Sequence, residues 1–484
     1  MSPTREMADM NVLLIMVDEM DGRKMGCAGW DSMHTPNLDA LAERGTIFEN
    51  TYCGSPLCVP SRASFVTGRH VHEIHCWDNG SPFDDCWATF GHRLEEQGVP
   101  VTTFGKIDLV EPCGDHGFGR TFKPIRRNPG DVCGLFRDPL CQRKNARERL
   151  KNAGPKDISG NVDEQTFEKS LEFLRSDEAQ DGPWMLWSSY SNPHFAHYAP
   201  EEYYDLYPED EVQFPEVGDL SRLNQLNRDL RYHFEVEELI DEETWIKNIR
   251  GYHGLISYVD NFVGGLMDTL DEEGLADDTV VIFTSDHGEM LGAHGMWWKC
   301  APFEPSVRVP LIMAGPDIEA GQRVERPVSQ VNMFPTIVDA AECELESDDE
   351  DLPGVSLLPM AREGDDDDLP KTVLSQYHAH GVRNGWFMVR KDDLKLIHYH
   401  GYGHEMYDVG EDPDEMVDLA RDPDMHHQLA SLDGMIHDTL NPDVVDTTAK
   451  ADQSARKIWV REELGEDEFD EMIDGKCDFR EDGD

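Results

Sequence analysis

The stretches Asn11–Glu19 (NVLLIMVDE) and Thr279–Gly288 (TVVIFTSDHG) share one pattern: a short, largely apolar run that ends abruptly in acidic residues. Runs of this length with no polar alternation read as strands buried on both faces, as in parallel sheets. Trp184 to Tyr190 is a third run of the same kind. Helical patterns lie between them. Pro36 to Arg44 follows Thr35 as a cap, carries Pro in its first turn and stops at Gly45. Glu243 to Leu270 places Ile246, Ile249, Leu255, Tyr258, Phe262 and Leu266 roughly on one face. Strands alternating with helices predict an α/β fold: a large, mostly parallel sheet with helices on both sides.

Composition bounds this reading. The 484 residues exceed one small core and allow a large α/β domain with an appendage. Hydrophobic residues make up 39%, enough for a sizeable core, so wholesale disorder is excluded. Asp plus Glu number 98 against 43 Lys plus Arg, a net charge of −55. A surface this acidic repels nucleic acid and anionic lipid, so neither is expected as a partner. The acidic residues are spread along the chain, which reads as adaptation to a high-salt cytoplasm where screening relieves self-repulsion. Eleven cysteines, an odd number in a long chain, do not form a disulfide scaffold. No secretory signal or membrane span is read, and a cytoplasmic protein with reduced thiols is expected.

Three segments are expected: a catalytic domain over residues 8–368, a small C-terminal α+β subdomain over 369–440, and an acidic terminal helix or tail over 441–484. Gly385 to Arg390 and Leu394 to His400 flank Lys391-Asp392-Asp393 and predict an antiparallel hairpin. The acidic runs Ser347 to Asp351 and Asp365 to Asp368 read as solvated loops.

Ligands of open parallel sheets bind at the carboxyl ends of strands. Asp18, Glu19, Asp286 and His287 stand there and suit a hard divalent cation, although an Asp after a strand also caps helices. Cys58-Val59-Pro60-Ser61-Arg62 reads as a helix start, where free N–H groups favour an anion and Arg62 adds a cationic fork.

Cys58 to Arg62 matches the C-x-P-S-R signature of the type I sulfatases of the alkaline phosphatase superfamily. The chain resembles that family further at Ser61 to Arg69, Gly105-Lys106, Asn192-Pro193-His194, Ser285 to Gly288, His294-Gly295, Lys299 and Leu396 to Leu419. It looks most similar to choline-sulfatase-type and carbohydrate-acting members. The resemblance implies an alkaline-phosphatase-like fold and hydrolysis of a small-molecule sulfate ester. It also implies a formylglycine made from Cys58 by a separate formylglycine-generating enzyme. One divalent cation, usually calcium, with magnesium or manganese as alternatives, would be held by Asp18, Glu19, Asp286, His287 and the modified residue 58. Arg62 and Lys106 would stabilise residue 58. Lys299 and His194 would bind the sulfate, and one of them would protonate the leaving alcohol.

Two positions depart from the family. Glu19 stands where many members have Asp, and Asp108 where many have a His that acts as base in the second half of turnover; Asp108 would take that role. A phosphoesterase or phosphonate monoester hydrolase of the same superfamily is the alternative, and an inactive binding protein a third reading. His75, Trp77, Asp78, Asn79 and His116 are candidates for shaping the pocket, whereas Cys53, Cys76, Cys113 and Cys133 read as structural. The alcohol half of the substrate and the oligomeric state are open.

Overall fold

The computed structural model describes residues 10–83, 86–110, 115–122, 125–126, 129–364 and 371–479. Cys113, the run Asp365 to Asp368 and the expected boundary at 368–369 lie outside them.

The strand Asn11–Asp18 forms the middle of a nine-stranded sheet. Thr279–Ser285 lies parallel to it on one side, and Met185–Pro193, Val101–Gly105 and Arg120–Phe122 lie parallel on the other. Only Leu311–Ala314 and Arg308–Val309 run against their neighbours. Period-two alternation of the central strand divides the core. Leu13, Ile15 and Val17 face a cluster with Ile249, Leu255 and Phe262 of the helix Glu242–Glu272. Val12, Leu14 and Met16 face the other way, onto Val59 and Phe65 of the helix Cys58–Thr67 and Phe90 of Phe90–Glu96. Both faces are covered, so these strands are apolar without alternation.

Several local expectations need correction. Thr35 precedes the helix Pro36–Glu43, but its hydroxyl accepts from the Gly26 N–H and meets the Asp39 carboxylate instead of capping the helix. Gly45 is no helix stop. It opens the strand Gly45–Tyr52, where a Cβ would stand 2.0 Å from the Met313 carbonyl oxygen. The helix Glu242–Glu272 is capped by Asp241 and is buried all round from Gly251 to Asp260, more than an amphipathic stripe predicts. The run Ser347 to Asp351 is not wholly solvated: Asp349 is buried in a bidentate pair with Arg93 at 2.8 and 3.0 Å.

The C-terminal part is a four-stranded antiparallel sheet over Thr372–Tyr377, Trp386–Lys391, Leu394–Tyr399 and Gly403–Asp408. Its expected hairpin turns at Asp392, whose φ of 52° is left-handed. The helix His426–Thr439 covers one face through Leu432 and Ile436. The described part of the segment beyond Asn441, to Phe479, is mostly helical. The helices Pro442–Leu464 and Glu466–Asp474 lead to the strand Cys477–Phe479, which pairs with Cys141–Arg143. The buried stripe of Pro442–Leu464 runs through Val445, Asp446, Ala449, Gln453 and Val460, so two polar residues interrupt it and hydropathy reads past it.

A buried ion cluster joins the two parts. Lys395 Nζ lies 2.9 Å from Glu304 and 2.7 Å from Glu415, with all three side chains essentially inaccessible. Lys395→Met is expected to destabilise the protein by about 3–5 kcal/mol, because two carboxylates lose their buried counter-charge. Denaturant unfolding measures this. Adding Glu304→Gln and Glu415→Gln to Lys395→Met should recover much of the loss, and a single variant as stable as the parent would contradict the assignment.

Candidate active site

Four parallel strands deliver their C-terminal ends to one point. Asp18 closes Asn11–Asp18, Lys106 follows Val101–Gly105, His194 follows Met185–Pro193, and Asp286 follows Thr279–Ser285. The approach is tight: Gly105 has φ +86°, and a Cβ there would stand 1.9 Å from the Ser189 carbonyl oxygen. Glu19 and Asp108 hold left-handed backbone at φ 68° and 60°, the kind of local strain that functional sites concentrate.

Cys58 is the first residue of Cys58–Thr67. Pro60 occupies the first turn, the Asn79 side-chain oxygen accepts from the Val59 N–H at 3.0 Å, and Gly68 ends the helix in left-handed conformation. The Cys58 sulfur lies 3.3 Å from His287 Nε2, 3.6 Å from Lys106 Nζ and 3.9 Å from Asp18 Oδ1. Arg62, one turn on and fully buried, donates to Asp286 at 2.8 Å and reaches Asp18 at 3.5 Å. Lys106 also pairs with Asp18, and lies 3.3 Å from Asp108. Beside this group, Lys299 Nζ contacts Glu19 at 2.9 Å and His194 Nε2 at 2.7 Å.

The electrostatics follow from burial and these neighbours. Burial and Asp18 push the Cys58 thiol up, but Lys106, Lys299 and His287 outweigh them and bring it down to about 6. Burial resists charge on His287, yet Asp286 and Cys58 raise it to about 9. Burial also opposes ionisation of Asp18, and Lys106, His194 and Arg62 overcome it and hold that carboxyl well below its usual range. Glu19 is raised by burial to about 7 despite His194 and Lys299. Burial takes His194 down to about 4 against the pull of Glu19.

One ligand atom from each of Asp18, Cys58, Asp286 and His287 lies within 4.8 Å of the others, and Asp18, Glu19 and His194 form an overlapping group. Glu19 Oε1 is buried with no hydrogen-bond partner. Carboxylates, an imidazole and an orphaned buried carboxylate oxygen fit a divalent cation.

A family model described as Sulfatase matches residues 10–343. The chain belongs to the sulfatase family. A second model, described as N-sulphoglucosamine sulphohydrolase, C-terminal, matches residues 292–441. The sulfatase is 32% identical over 426 residues to a choline-sulfatase of Rhizobium meliloti (strain 1021), covering 84% of this chain and 81% of that protein. It is 28% identical over 433 residues to arylsulfatase K of Homo sapiens, covering 84% and 78%. The structure of a phosphonate monoester hydrolase of Agrobacterium radiobacter superposes with TM-score 0.71 at 25% identity, covering 92% of this chain and 96% of that one. The protein is thus a sulfatase hydrolase of the alkaline phosphatase superfamily, with the expected α/β fold and antiparallel C-terminal sheet.

Every site residue singled out in the sequence of the sulfatase lies in this one cluster, though Glu19 turns its carboxylate toward Lys299 and His194, away from Cys58. Of the pocket candidates, Asn79 lines the cavity of about 210 Å³ that opens on Cys58, whereas Trp77 is a core residue donating to Asp452 at 2.9 Å. His75 pairs with Asp452 on the surface, and Asp78 accepts from Gly80 N–H and Gln453. The thiols of Cys53, Cys76 and Cys133 are buried and unbridged. Sequence reading missed Ser189, which hydrogen-bonds Arg62 at 3.0 Å, and Gln330, which holds Ser61 at 3.0 Å. It also missed Arg143 and Arg149, which line the cavity from a segment without a motif. No described helix is long and apolar enough to cross a membrane.

Proposed function

We propose that this sulfatase hydrolyses sulfate monoesters of a small alcohol or sugar, with a formylglycine formed from Cys58 by a separate modifying enzyme and with one divalent cation. The observation that carries the reading is the convergence of Asp18, Cys58, Asp286 and His287 within 4.8 Å. Asp18, Asp286, His287 and modified residue 58 would hold the ion, with the free oxygen of Glu19 at its edge. Calcium is the family's usual ion; magnesium and manganese take the same oxygen donors. The ion supplies Lewis acidity, and the hydrated aldehyde supplies an oxygen nucleophile where a thiol stands in the unmodified chain.

The chain's own residues do the rest. Arg62 fixes Asp286 and Asp18 from behind, so the two carboxylates keep their spacing. Lys106 offsets Asp18 and, with Lys299, places positive charge beside residue 58, where sulfate charge gathers in the transition state. Lys299 and His194 share a contact of 2.7 Å, so a proton held between them can pass to the leaving alcohol. Asp108 faces Lys106 at the place of the usual base and takes that role.

Release of sulfate from an aryl sulfate, compared with phosphate from the matching aryl phosphate, tests the reading. The sulfate is expected to be turned over at least about tenfold faster in kcat/KM. A strong phosphate preference would instead favour the phosphoesterase or phosphonate monoester hydrolase alternative, which the structural likeness to a phosphonate monoester hydrolase supports.

The charge of −55 supports a site of action in a high-salt cytoplasm. The unfolding midpoint is then expected to rise steeply between about 0.1 and 2 M KCl, as screening shortens to a few ångströms. A flat response removes this proposal.

A further inference from the structure

The walls of the Cys58 cavity carry more basic than acidic side chains, with Asp131 the one carboxylate among the described lining residues. Three basic side chains line it. Lys299 is paired with Glu19 at 2.9 Å, and Arg143 with Asp131 at 2.7 Å. Among the described residues, the third, Arg149, has no carboxylate in hydrogen-bond or ion-pair contact; Asp131 and Glu235 attract it only at longer range, and its guanidinium carbon lies 6.0 Å from the Phe195 ring. This occurs in a chain with more than two acidic residues for every basic one. Leaving a half-buried guanidinium beside Arg143 and unpaired costs free energy in the empty enzyme. Burial and Arg143 together push Arg149 below its ordinary value, the mark of a cation awaiting an anion.

Of the phenylalanine and tryptophan rings that line the cavity, Phe195, Phe234 and Trp298, the first is already engaged by protein cations. Phe195 already has the Lys299 ammonium 5.3 Å from its centroid on top of the Arg149 contact, so protein cations occupy the ring face that would attract a cationic ligand. Arg143 and Arg149 also line a neighbouring basin of about 510 Å³ together with Asp131, Lys144, Gly475 and Lys476, beside the strand Cys477–Phe479 that pairs with Cys141–Arg143. A substrate seated with its sulfate at Lys299 therefore extends its alcohol half past Arg149.

Resting on the sulfatase reading, we propose that Arg149, supported by Arg143, forms a second anion subsite, and that the substrates are sulfate esters whose alcohol part carries a carboxylate or a second sulfate. Esters of cationic alcohols are disfavoured, although a choline-sulfatase is among the relatives. Arg149 is a specificity-determining residue, and its guanidinium fork matches either anion bidentately.

Four phenyl sulfates that differ only in a para substituent test this: hydroxymethyl, carboxymethyl, sulfomethyl and trimethylammoniomethyl. At fixed ionic strength the two anionic esters are expected to exceed the neutral one at least about tenfold in kcat/KM, chiefly through KM, with the cationic ester last. The ranking of carboxymethyl against sulfomethyl identifies which anion the subsite prefers. Arg149→Gln should bring the anionic and neutral esters within about threefold of each other, and Arg149→Lys should restore part of the preference. Equal rates on neutral and anionic esters, or a preference that survives Arg149→Gln in a folded variant, would overturn the subsite while the sulfatase reading stands. Failure to release sulfate from any of the four would remove the sulfatase reading itself, and the subsite with it.

Discussion

Cys58→Ala is expected to lower kcat on a sulfate ester by at least about a thousandfold, roughly 4 kcal/mol of transition-state stabilisation. The side chain sits at the one point reached by Asp18, Lys106 and His287 together, at 3.9, 3.6 and 3.3 Å. None of those three can replace it: Asp18 is committed to Lys106 and Arg62, and His287 accepts or donates only from a fixed ring. A water molecule in the vacated space would lack covalent attachment and with it most of the advantage of proximity. The fold should survive, since the substitution removes one sulfur from the start of a helix that packs on the core through Val59, Ala63 and Phe65; the stability is expected within about 1 kcal/mol of the parent. A companion measurement is the mass of the residue 58 peptide from the native host, which should have lost its sulfur. Undiminished hydrolysis by Cys58→Ala, or a peptide that keeps its sulfur in every molecule of active enzyme, would dispose of the nucleophile assignment.

Acidification is expected to destabilise the fold by at least about 6 kcal/mol between pH 7.5 and pH 5, the part that three buried histidines outside the catalytic cluster contribute. Burial takes His70, His233 and His294 from the ordinary 6.5 down to about 3. Beside burial, His72 opposes charge on His70, Arg143 on His233, and Lys395 and Arg23 on His294. The Cys141 carbonyl and an Asp414 hydrogen bond act the other way on His233 and His294, without prevailing. Each histidine is therefore neutral in the fold and protonated in the unfolded chain below pH 6.5. Their stabilisation is fully present above 6.5 and is lost progressively as pH falls toward 3, by about 2 kcal/mol per group at pH 5. Denaturant midpoints at the two pH values measure the sum. Proton uptake on unfolding at pH 5 measures the count, and at least about three protons should be taken up. A midpoint independent of pH over this range, or unfolding without uptake, would contradict the assignment.

What could be read in the sequence was what depends on local pattern. The strands Asn11–Asp18 and Thr279–Ser285 announced themselves because a strand covered on both faces must be apolar at every position. Cys58 to Arg62 was legible as a helix start from the Pro in its first turn, and as more than that only through its match to the C-x-P-S-R signature. The acidic C-terminal segment was under-read for the opposite reason. The stripe that buries Pro442–Leu464 uses Ala449, Asp446 and Gln453, so no hydropathy period marks it. Asp349 was misread because an acidic run looks solvated until its partner, Arg93, arrives from 256 residues away.

Sequence alone thus determined the fold class, the strand-end acidic residues and the Cys58 to Arg62 signature, since each is a property of consecutive residues. Tertiary structure decided how charge is distributed around that motif. It turned Glu19 toward Lys299, brought a motif-free segment and the strand Cys477–Phe479 together near Arg143 and Arg149, and left one guanidinium with no carboxylate in contact among the described residues. Coulomb interactions act through space and depend on burial, and neither the distances nor the burial are written in the order of the residues.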